Sequence, residues 1–438
     1  MKRALTRVLL TSAALGAFSA VSIGQQFDRI RKDQFTQILS NIKGVIQKNY
    51  YDPAFHGVNL DERFKLAEAK IKEASSLSAA DAAIAQTLID FNDSHLFYLP
   101  PPRAVKIEYG WQVGIVGDNA YIFAVKPKSD AAAKGLKVGD MVLSMNGFKP
   151  SRSEMWKMNY YYYQISPRAA IKMVVQSPDS EPRELEIVTK VTQLKQTVDL
   201  TSDIDLNEYI RDSEKESRSS FHRFQKVGNT VIWQMPRFPS DPAFIDKVMK
   251  ERVLGNPNLV LDLRGNPGGA VKSLERLAGY FFDKDVKIAD MKRRKATEVS
   301  TAATRGTNTF AGHVVVLLDS SSASCSEILA RMLQIEKRGY VIGDRSAGAV
   351  MQSRSYSMKM GTDSLILYGL SVTDAEVIMT DGKSLEHVGV TPDELLIPTA
   401  AEMSMFSDVA LARAIEKAGG TKIDPLAAGK FFPIEWDD

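Results

Sequence analysis

Hydrophobic residues keep a helical spacing over the first part of the chain. Apolar positions recur three and four residues apart in three stretches, which are residues 27–46, 64–71 and 79–91. The spacing ends at the polar group Asn92-Asp93-Ser94-His95, and the prolines at 100–102 stop any further helix. The pattern therefore predicts an N-terminal helical module over residues 25–105.

From residue 109 onward the apolar positions alternate, which is typical of short strands. Strand patterns occur at residues 110–116, 120–125, 141–145, 171–175 and 185–188. The segment SDAAAKGLKVGDMVLSMNG resembles a PDZ domain, and the resemblance covers residues 106–192. Such a domain presents an open sheet edge that accepts a peptide as an added strand. We expect Gly110, Trp111 and Val113 to contact that peptide, although their segment differs from the usual carboxylate-binding loop.

The remainder of the chain alternates buried strands with helices. Residues 201–220 are polar and charged, which predicts a linker over residues 193–228. Beyond it, strands are predicted at 230–234, 259–263 and 314–319, and helices at 271–282 and 408–417. This alternation indicates an α/β domain. We assign residues 229–400 to that domain and residues 401–438 to a C-terminal helix and tail.

Composition sets few limits on function. The chain has 438 residues, enough for two or three domains, with 44% hydrophobic and 25% charged residues. A net charge of +3 implies no particular partner, and the basic cluster at residues 292–295 lacks the interleaved aromatic residues of a nucleic-acid surface. We expect no nucleic-acid partner.

The first residues indicate export. Lys2, Arg3 and Arg7 precede an apolar stretch that ends in small residues, which predicts a cleavable signal peptide over residues 1–24. The single cysteine, Cys325, cannot form an internal disulfide. We expect a bacterial periplasmic or secreted protein that contacts a membrane only if the signal segment remains uncleaved.

A cluster of serines lies where a predicted strand ends and a predicted helix begins, a junction that can present a nucleophile. Its members are Ser320, Ser321, Ser322, Ser324 and Ser326. Backbone N–H groups at the start of a helix favour a developing oxyanion. The alternative interpretation is structural, because Ser324-Cys325-Ser326-Glu327 also fits a capping box.

A glycine-rich turn follows the strand at 259–263. Its sequence, LDLRGNPGG over residues 261–269, lacks the spacing of a dinucleotide or phosphate loop. Pro267 has no N–H, so an oxyanion donor from this turn must be Gly268 or Gly269. The alternative is a tight turn that only starts a helix.

A serine nucleophile requires a base, and the chain contains five histidines. These are His56, His95, His222, His313 and His387. His313 precedes a core strand, His222 falls in the predicted linker and His56 lies in a loop. His95 follows Ser94, and His387 follows Glu386, so these two histidines are the stronger candidates.

Several motifs together resemble the tail-specific, or C-terminal-processing, serine proteases and the related tricorn protease core. They are LVLDLRGNPGG, SSSASCSEILARML, the PDZ-like segment upstream and LEHVGVTPD downstream. The resemblance implies an α/β fold with a crotonase/ClpP-like protease core, an inserted PDZ-like β-rich domain and an N-terminal helical module. It also implies that Ser324 is the nucleophile and that the other serines form the turn and cap.

The chain departs from the tail-specific pattern at the base. That branch carries a lysine about 25 residues after the nucleophile, where this chain has Ala349. The tricorn branch instead has a Ser-His pair and a glutamate, which Ser94, His95 and Glu386 match. The resemblance therefore implies that His95 is the general base and that Ser94 and Glu386 orient its ring.

The resulting hypothesis is an exported serine endopeptidase that forms an acyl-enzyme on Ser324. The N–H groups of Cys325 and of Gly268 or Gly269 would hold the oxyanion, and Cys325 itself is expected to be a buried structural residue. We expect peptide or protein substrates and neither cofactor nor metal. The alternative is an inactive peptide-binding protein that retains the fold, while the PDZ-like segment disfavours a non-peptide hydrolase.

Overall fold

The computed structural model describes residues 29–103, 105–193, 222–361 and 366–436. The predicted signal peptide lies outside the described residues, as does most of the predicted linker. Among the described residues, no helix has both the length and the apolar composition needed to cross a bilayer.

Three helices form the first part of the fold, at the places where the hydrophobic spacing predicts them. They are α1 (Arg29–Asn49), α2 (Leu60–Glu73) and α3 (Leu77–Ile89). Asn59 and Ser76 begin α2 and α3, since each side chain accepts a hydrogen bond from an N–H of the first turn. A short strand, β1 (Phe97–Leu99), follows directly after the Ser94-His95 pair.

A β-rich unit comes next. Its strands are β2 (Val105–Glu108), β3 (Trp111–Val116), β4 (Asn119–Val125), β5 (Met141–Met145), β6 (Ala170–Gln176), β7 (Arg183–Val188) and β8 (Lys190–Gln193). Strands β3 to β7 form an antiparallel sheet in sequence order, and β2 pairs with β8. Two short helices, α4 (Asp130–Ala133) and α5 (Met155–Tyr160), accompany the sheet. Four consecutive tyrosines, at residues 160–163, lie at the end of α5, which continues as a π-helical segment, Tyr161–Ile165.

The six-stranded sheet of the α/β core begins after the predicted linker. Its strands are β9 (Arg223–Val227), β10 (Thr230–Gln234), β11 (Asn258–Asp262), β14 (His313–Leu318), β15 (Tyr340–Gly343) and β18 (Glu394–Leu395). The order is β18-β15-β14-β11-β10-β9, and every neighbouring pair is parallel except β9 with β10. Because β11 and β14 are parallel neighbours, the glycine turn and the serine cluster leave the same edge of the sheet.

Helices surround this sheet. They are α6 (Ala243–Val248), α7 (Val271–Ala278), α8 (Cys325–Ile335), α9 (Ala400–Ser404), α10 (Val409–Lys417) and α11 (Pro425–Ala428). Helix α10 packs on one face of the sheet, where Leu411 and Ile415 meet Val260 and Leu317. Helices α7 and α8 belong to the larger hydrophobic cluster on the other face. Helix α7 is shorter than the 271–282 segment that the sequence predicts.

A further sheet of five strands, which the sequence pattern does not predict, joins the helical module to the core. It contains β1 and four longer strands, which are β12 (Val286–Arg293), β13 (Thr297–Ala302), β16 (Met351–Met360) and β17 (Ile366–Met379). Strand β17 pairs with β1, β12 and β16. Its first half packs against the three helices through residues such as Tyr368 and Leu370, whereas Val377 belongs to the large core cluster.

The β-rich unit also contacts the core directly. The Arg152 guanidinium lies 2.6 Å from the Asp344 carboxylate, and the Gly117 N–H donates to the same carboxylate at 2.8 Å. The Ser320 hydroxyl donates to the Ile115 carbonyl at 2.6 Å. Strand β3 is therefore attached at its end to the turn that carries the serine cluster.

An ion-pair network ties the core sheet to the C-terminal helix. Arg264 contacts the carboxylates of Asp262 at 2.7 Å and Asp408 at 2.8 Å, and Asp262 has no exposed surface. Asp408 also caps α10 by accepting the Leu411 N–H. The Arg264 charge therefore holds two carboxylates that belong to separate elements.

We predict that Arg264→Met lowers the free energy of unfolding by about 3 kcal/mol, because it leaves the buried Asp262 charge without its partner. The matched control is Arg413→Met, whose guanidinium pairs with Glu394 and Glu416 at the surface. That substitution should cost far less stability, because its ion pairs are exposed to solvent. Urea denaturation measures both, and equal losses in the two variants would contradict the prediction.

Candidate active site

Ser324 immediately precedes α8 and has an unusual backbone conformation. Its φ is 55° and its ψ is −118°, a region that side-chain-bearing residues seldom adopt. Ser324 and Glu327 form the predicted capping box. The Ser324 N–H lies 3.0 Å from the Glu327 carboxylate and 2.9 Å from the Ala349 carbonyl. These contacts hold the strained residue in place at the start of the helix.

Three of the other serines in the cluster bind a neighbouring segment, so they do more than form a turn. Buried Ser322 donates to the Leu263 carbonyl at 2.8 Å, and buried Ser326 donates to the Asn266 carbonyl at 3.1 Å. Together with the Ser320 bond to β3, these contacts hold the serine turn against the glycine turn and the β-rich unit.

The glycine turn packs directly on Ser324. A Cβ placed on Gly268 would lie 2.6 Å from the Ser324 Cβ and 3.1 Å from the Cys325 nitrogen. The φ angle of Gly268 is +102°. The Gly268 N–H donates to the Asn266 side-chain oxygen at 2.8 Å. Of the two glycine donors that the sequence leaves open, Gly268 is therefore already bonded elsewhere, and Gly269 is the remaining alternative.

The structure brings Ser94, His95 and Glu386 together. The Ser94 hydroxyl donates to Glu386 Oε2 at 2.9 Å and lies 2.8 Å from His95 Nδ1. Because the hydroxyl donates its hydrogen to the carboxylate, it can only accept a hydrogen bond from the His95 ring. We therefore assign the hydrogen of the neutral imidazole to Nδ1, which leaves Nε2 unprotonated. Glu386 thus acts on the imidazole through Ser94. Burial lowers the pKa of His95, and the nearby Glu386 and Asp93 carboxylates oppose the shift.

A short backbone segment connects this group to Ser324. The Ala349 carbonyl accepts the Ser324 N–H, and the next residue, Val350, donates its N–H to Glu386 Oε2 at 2.7 Å. Within the described residues, no hydrogen bond joins the Ser324 hydroxyl to His95. Catalytic hydrogen bonds are often long or absent before substrate binds.

The remaining histidines make different contacts, although His387 also lies near Glu386. The His387 ring is at the surface, 2.8 Å from the Asn92 carbonyl and 3.6 Å from Glu386 Oε1. His56 lies 2.7 Å from the Tyr51 hydroxyl. His222 accepts a hydrogen bond from the Trp233 indole at 3.0 Å, so it packs on the core and is not part of a solvated linker. His313 is exposed at the start of β14.

A small apolar pocket opens beside the candidate nucleophile. Ser324 and Cys325 form one wall, and apolar side chains that include Leu274, Ile328 and Met351 form the others, around a volume of about 20 Å³. Burial raises the pKa of the Cys325 thiol to about 12. The thiol therefore remains protonated near neutral pH, which agrees with its expected structural role.

The residues expected to bind peptide in the β-rich unit are less available than the sequence suggests. Trp111 is buried in the core of that unit, and the Gly110 carbonyl already accepts the Lys126 N–H at 2.9 Å. Strand β3, which includes Val113, is an edge strand of its sheet within the described residues. The Trp111 side chain is therefore not accessible to a peptide in this conformation, whereas Val113 is only half-buried and lies on the edge strand.

The sequence does not indicate the long-range partners of two buried carboxylates near the site. Asp93 accepts hydrogen bonds from the His95 N–H, the Tyr50 hydroxyl and the Thr373 hydroxyl at 2.9, 2.8 and 2.7 Å. Glu327 is predicted only as the capping partner of Ser324, because it lies three residues further along the chain. Its other partners, at residues 346–349, lie about 20 residues away, and the sequence pattern does not indicate them.

Several known proteins resemble this chain in sequence. Residues 230–396 match the model for peptidase family S41. The carboxy-terminal processing protease CtpB of Bacillus subtilis is 26% identical over 80% of this chain and 72% of its own length. A probable CtpA-like serine protease of Staphylococcus aureus is 22% identical over 88% of this chain and 70% of its own length.

Among solved structures, mature CPAF superposes with a TM-score of 0.64 at 14% identity, over 90% of this chain and 100% of that chain. This likeness confirms the predicted α/β protease fold. Fold and sequence together define a serine-type peptidase. The match of residues 230–396 to peptidase family S41 agrees with the family resemblance that the motifs predict.

We predict that Gly268→Ala abolishes most of the activity, because the new Cβ would displace Ser324 or Cys325. Misplacement of a reacting group by about 1 Å lowers turnover roughly 100-fold. Gly265→Ala is the matched control, since Gly265 also has a positive φ, of 70°, but has open space where its Cβ would lie. The control should lose only about 1–2 kcal/mol of stability. Peptide hydrolysis per folded molecule measures the effect, and similar activity in both variants would contradict it.

Proposed function

We propose that this peptidase hydrolyses peptide bonds through an acyl-enzyme on Ser324, with His95 as general base. The observation that carries the proposal is the hydrogen-bonded series from Glu386 through the Ser94 hydroxyl to His95 Nδ1. That series leaves Nε2 as the basic nitrogen, which is the arrangement a serine nucleophile requires.

In the proposed reaction the Ser324 oxygen attacks the substrate carbonyl carbon while His95 Nε2 takes the hydroxyl proton. The amine leaves with that proton when the C–N bond breaks. Water then attacks the acyl ester and gives a proton to His95. The bond between the acyl carbon and the Ser324 oxygen breaks, His95 returns the proton to that oxygen, and the acid is released. The Glu386 carboxylate favours the imidazolium that forms in each half of the reaction.

We assign the oxyanion site to the N–H groups of Cys325 and Gly269. The Cys325 N–H is the first amide of α8, so it has no carbonyl one turn earlier within the helix. Gly268 could replace Gly269 only if its N–H leaves the Asn266 side chain. Each such donor is typically worth about 3 kcal/mol of barrier.

The apolar pocket beside Ser324 is suited to the substrate residue that becomes the acyl group. Its volume of about 20 Å³ accommodates a group near the size of one water molecule, which favours a small apolar side chain. The open edge of β3 supports docking of an extended peptide, since it leads to the Ser320 contact on the serine turn. We propose this edge as the substrate path into the site.

The proposed setting is an exported one. The basic and apolar pattern of residues 1–24 supports export. The Bacillus subtilis relative is described as a carboxy-terminal processing protease. By analogy, we propose that this chain trims the C-terminal ends of exported proteins.

We predict that an activated phosphonate labels Ser324 and no other residue. The reagent reacts with a serine whose proton can be removed, so labelling should be lost in Ser324→Ala and strongly reduced in His95→Ala. Mass spectrometry of the intact and digested protein locates the adduct. A label elsewhere would overturn the nucleophile assignment. No label on folded wild-type protein would favour the inactive peptide-binding alternative.

We predict that kcat/KM falls as the pH drops below neutrality, because only neutral His95 can accept the serine proton. Burial lowers the pKa of His95 below its ordinary value of 6.5, so this group is fully active at pH 7 and loses activity as the pH falls through its lowered pKa. His387→Ala is the control and should keep the wild-type profile. A flat profile on the acid side, or activity lost only in His387→Ala, would contradict the choice of base.

A further inference from the structure

Glu327 is a buried carboxylate that the proposed reaction does not use. It lies in the first turn of α8 and has no exposed surface. Its Oε1 accepts the Ser346 hydroxyl at 2.6 Å and the Gly348 N–H at 2.7 Å. Its Oε2 accepts the Ser324 and Ala349 N–H groups, each at 3.0 Å. Four neutral donors therefore surround the carboxylate, and no cation pairs with it among the described residues.

Burial of the Glu327 charge destabilises the folded protein unless these hydrogen bonds persist. Burial raises the pKa of Glu327 to about 7, and the bonds from Ser346, Gly348, Ala349 and Ser324 oppose that shift. A buried carboxylate costs several kcal/mol unless its oxygens are fully bonded. The four donors compensate for that cost, and in return the carboxylate fixes the backbone of the two segments that supply them.

Those two segments carry opposite halves of the proposed active site. One is Ser324, whose strained φ of 55° requires surrounding contacts to persist. The other is the segment of residues 346–350. Within it the Ala349 N–H goes to Glu327, and the next N–H, of Val350, goes to Glu386. Glu386 in turn holds the Ser94 N–H and hydroxyl, each at 2.9 Å.

We propose that Glu327 is a positioning residue for this peptidase, which holds Ser324 in its strained conformation and sets its placement relative to His95 through residues 346–350. Two adjacent N–H groups of that segment bind two carboxylates. The Ala349 N–H binds Glu327, which contacts the nucleophile residue, and the Val350 N–H binds Glu386, which contacts Ser94 beside the base. The backbone at Ala349 thus links the two groups at the position where the tail-specific pattern has a lysine side chain. The inference rests on the proposed roles of Ser324 and His95.

The test is Glu327→Gln, which keeps the size of the side chain but directs an NH₂ group at backbone N–H donors. We expect kcat to fall roughly 100-fold while KM stays within about threefold, since the substrate pocket is intact but the nucleophile is misplaced. Phosphonate labelling of Ser324 should slow by a similar factor. Near-UV circular dichroism establishes that the variant is folded.

The matched control is Asp140→Asn in the β-rich unit. Asp140 is another carboxylate with no exposed surface, and it accepts hydrogen bonds from Ser177 and Arg183. This variant should lose stability while its kcat stays within about threefold of wild type. A folded Glu327→Gln variant with wild-type kcat, or with only KM raised, would overturn the proposal.

If Glu327→Gln does not fold, Ser346→Ala becomes the deciding test of the proposal. It removes a hydroxyl that donates to Glu327 and also accepts the Val390 N–H at 2.6 Å, and it leaves the bonds of Ser324 and Ala349 to Glu327 in place. We expect kcat to fall about 5- to 10-fold with KM unchanged, because one donor to Glu327 is lost while the Val390 contact lies outside the substrate pocket. Unchanged kcat in this variant would count against a positioning role.

Failure of this inference can be told apart from failure of the proposed function. If wild-type protein is labelled at Ser324 and His95→Ala is inactive, the proposed function stands whatever Glu327→Gln does. If wild-type Ser324 is not labelled, the catalytic assignment itself is wrong, and the Glu327 inference falls with it.

Discussion

The pairing of β17 with its neighbours is the constraint on which the rest of the molecule depends. This strand is covered by the N-terminal helices over its first half and belongs to the large core cluster over its second half. It also pairs with β1, where Phe97 faces Ser371, and so fixes the chain just after His95. The proposed base and nucleophile come from distant parts of the sequence, and the hydrogen bonds and packing of this one strand hold them in the same structure.

The sequence predicts the local elements of the site well. A buried strand, a run of small residues and a capping pattern locate Ser324 before α8, and the glycine turn is placed correctly beside it. Long-range contacts are different, because the partners of Asn266, Glu327 and Asp93 depend on which segments meet in space. Strand β17 itself gave no clear signal, since both of its faces are buried and no alternation of polar and apolar residues results. The roles of Ser94, His95 and Glu386 came from family resemblance, and periodicity alone would not have joined them.

Two ionisable groups near the site have pKa values shifted in opposite directions. Burial raises the pKa of the Glu327 carboxyl to about 7 and lowers that of the His95 imidazole. Burial disfavours charge in both cases, but the acid gains a proton more readily while the base holds one less tightly. The proposed active arrangement needs a charged Glu327 and a neutral His95. Acidification acts against both requirements, so the two ionisations contribute to the same side of the pH profile.

The attachment of His95 through β1 and β17 also limits what a fragment of this chain can do. The region that matches the peptidase family, residues 230–396, includes Ser324 and Glu386 but not Ser94 or His95. If expressed alone, that region would expose the face of β17 that the helices cover, a surface prone to aggregation. The unit needed for the proposed active site is therefore larger than the region that matches the family, because it includes the segment after the helical module that carries Ser94 and His95.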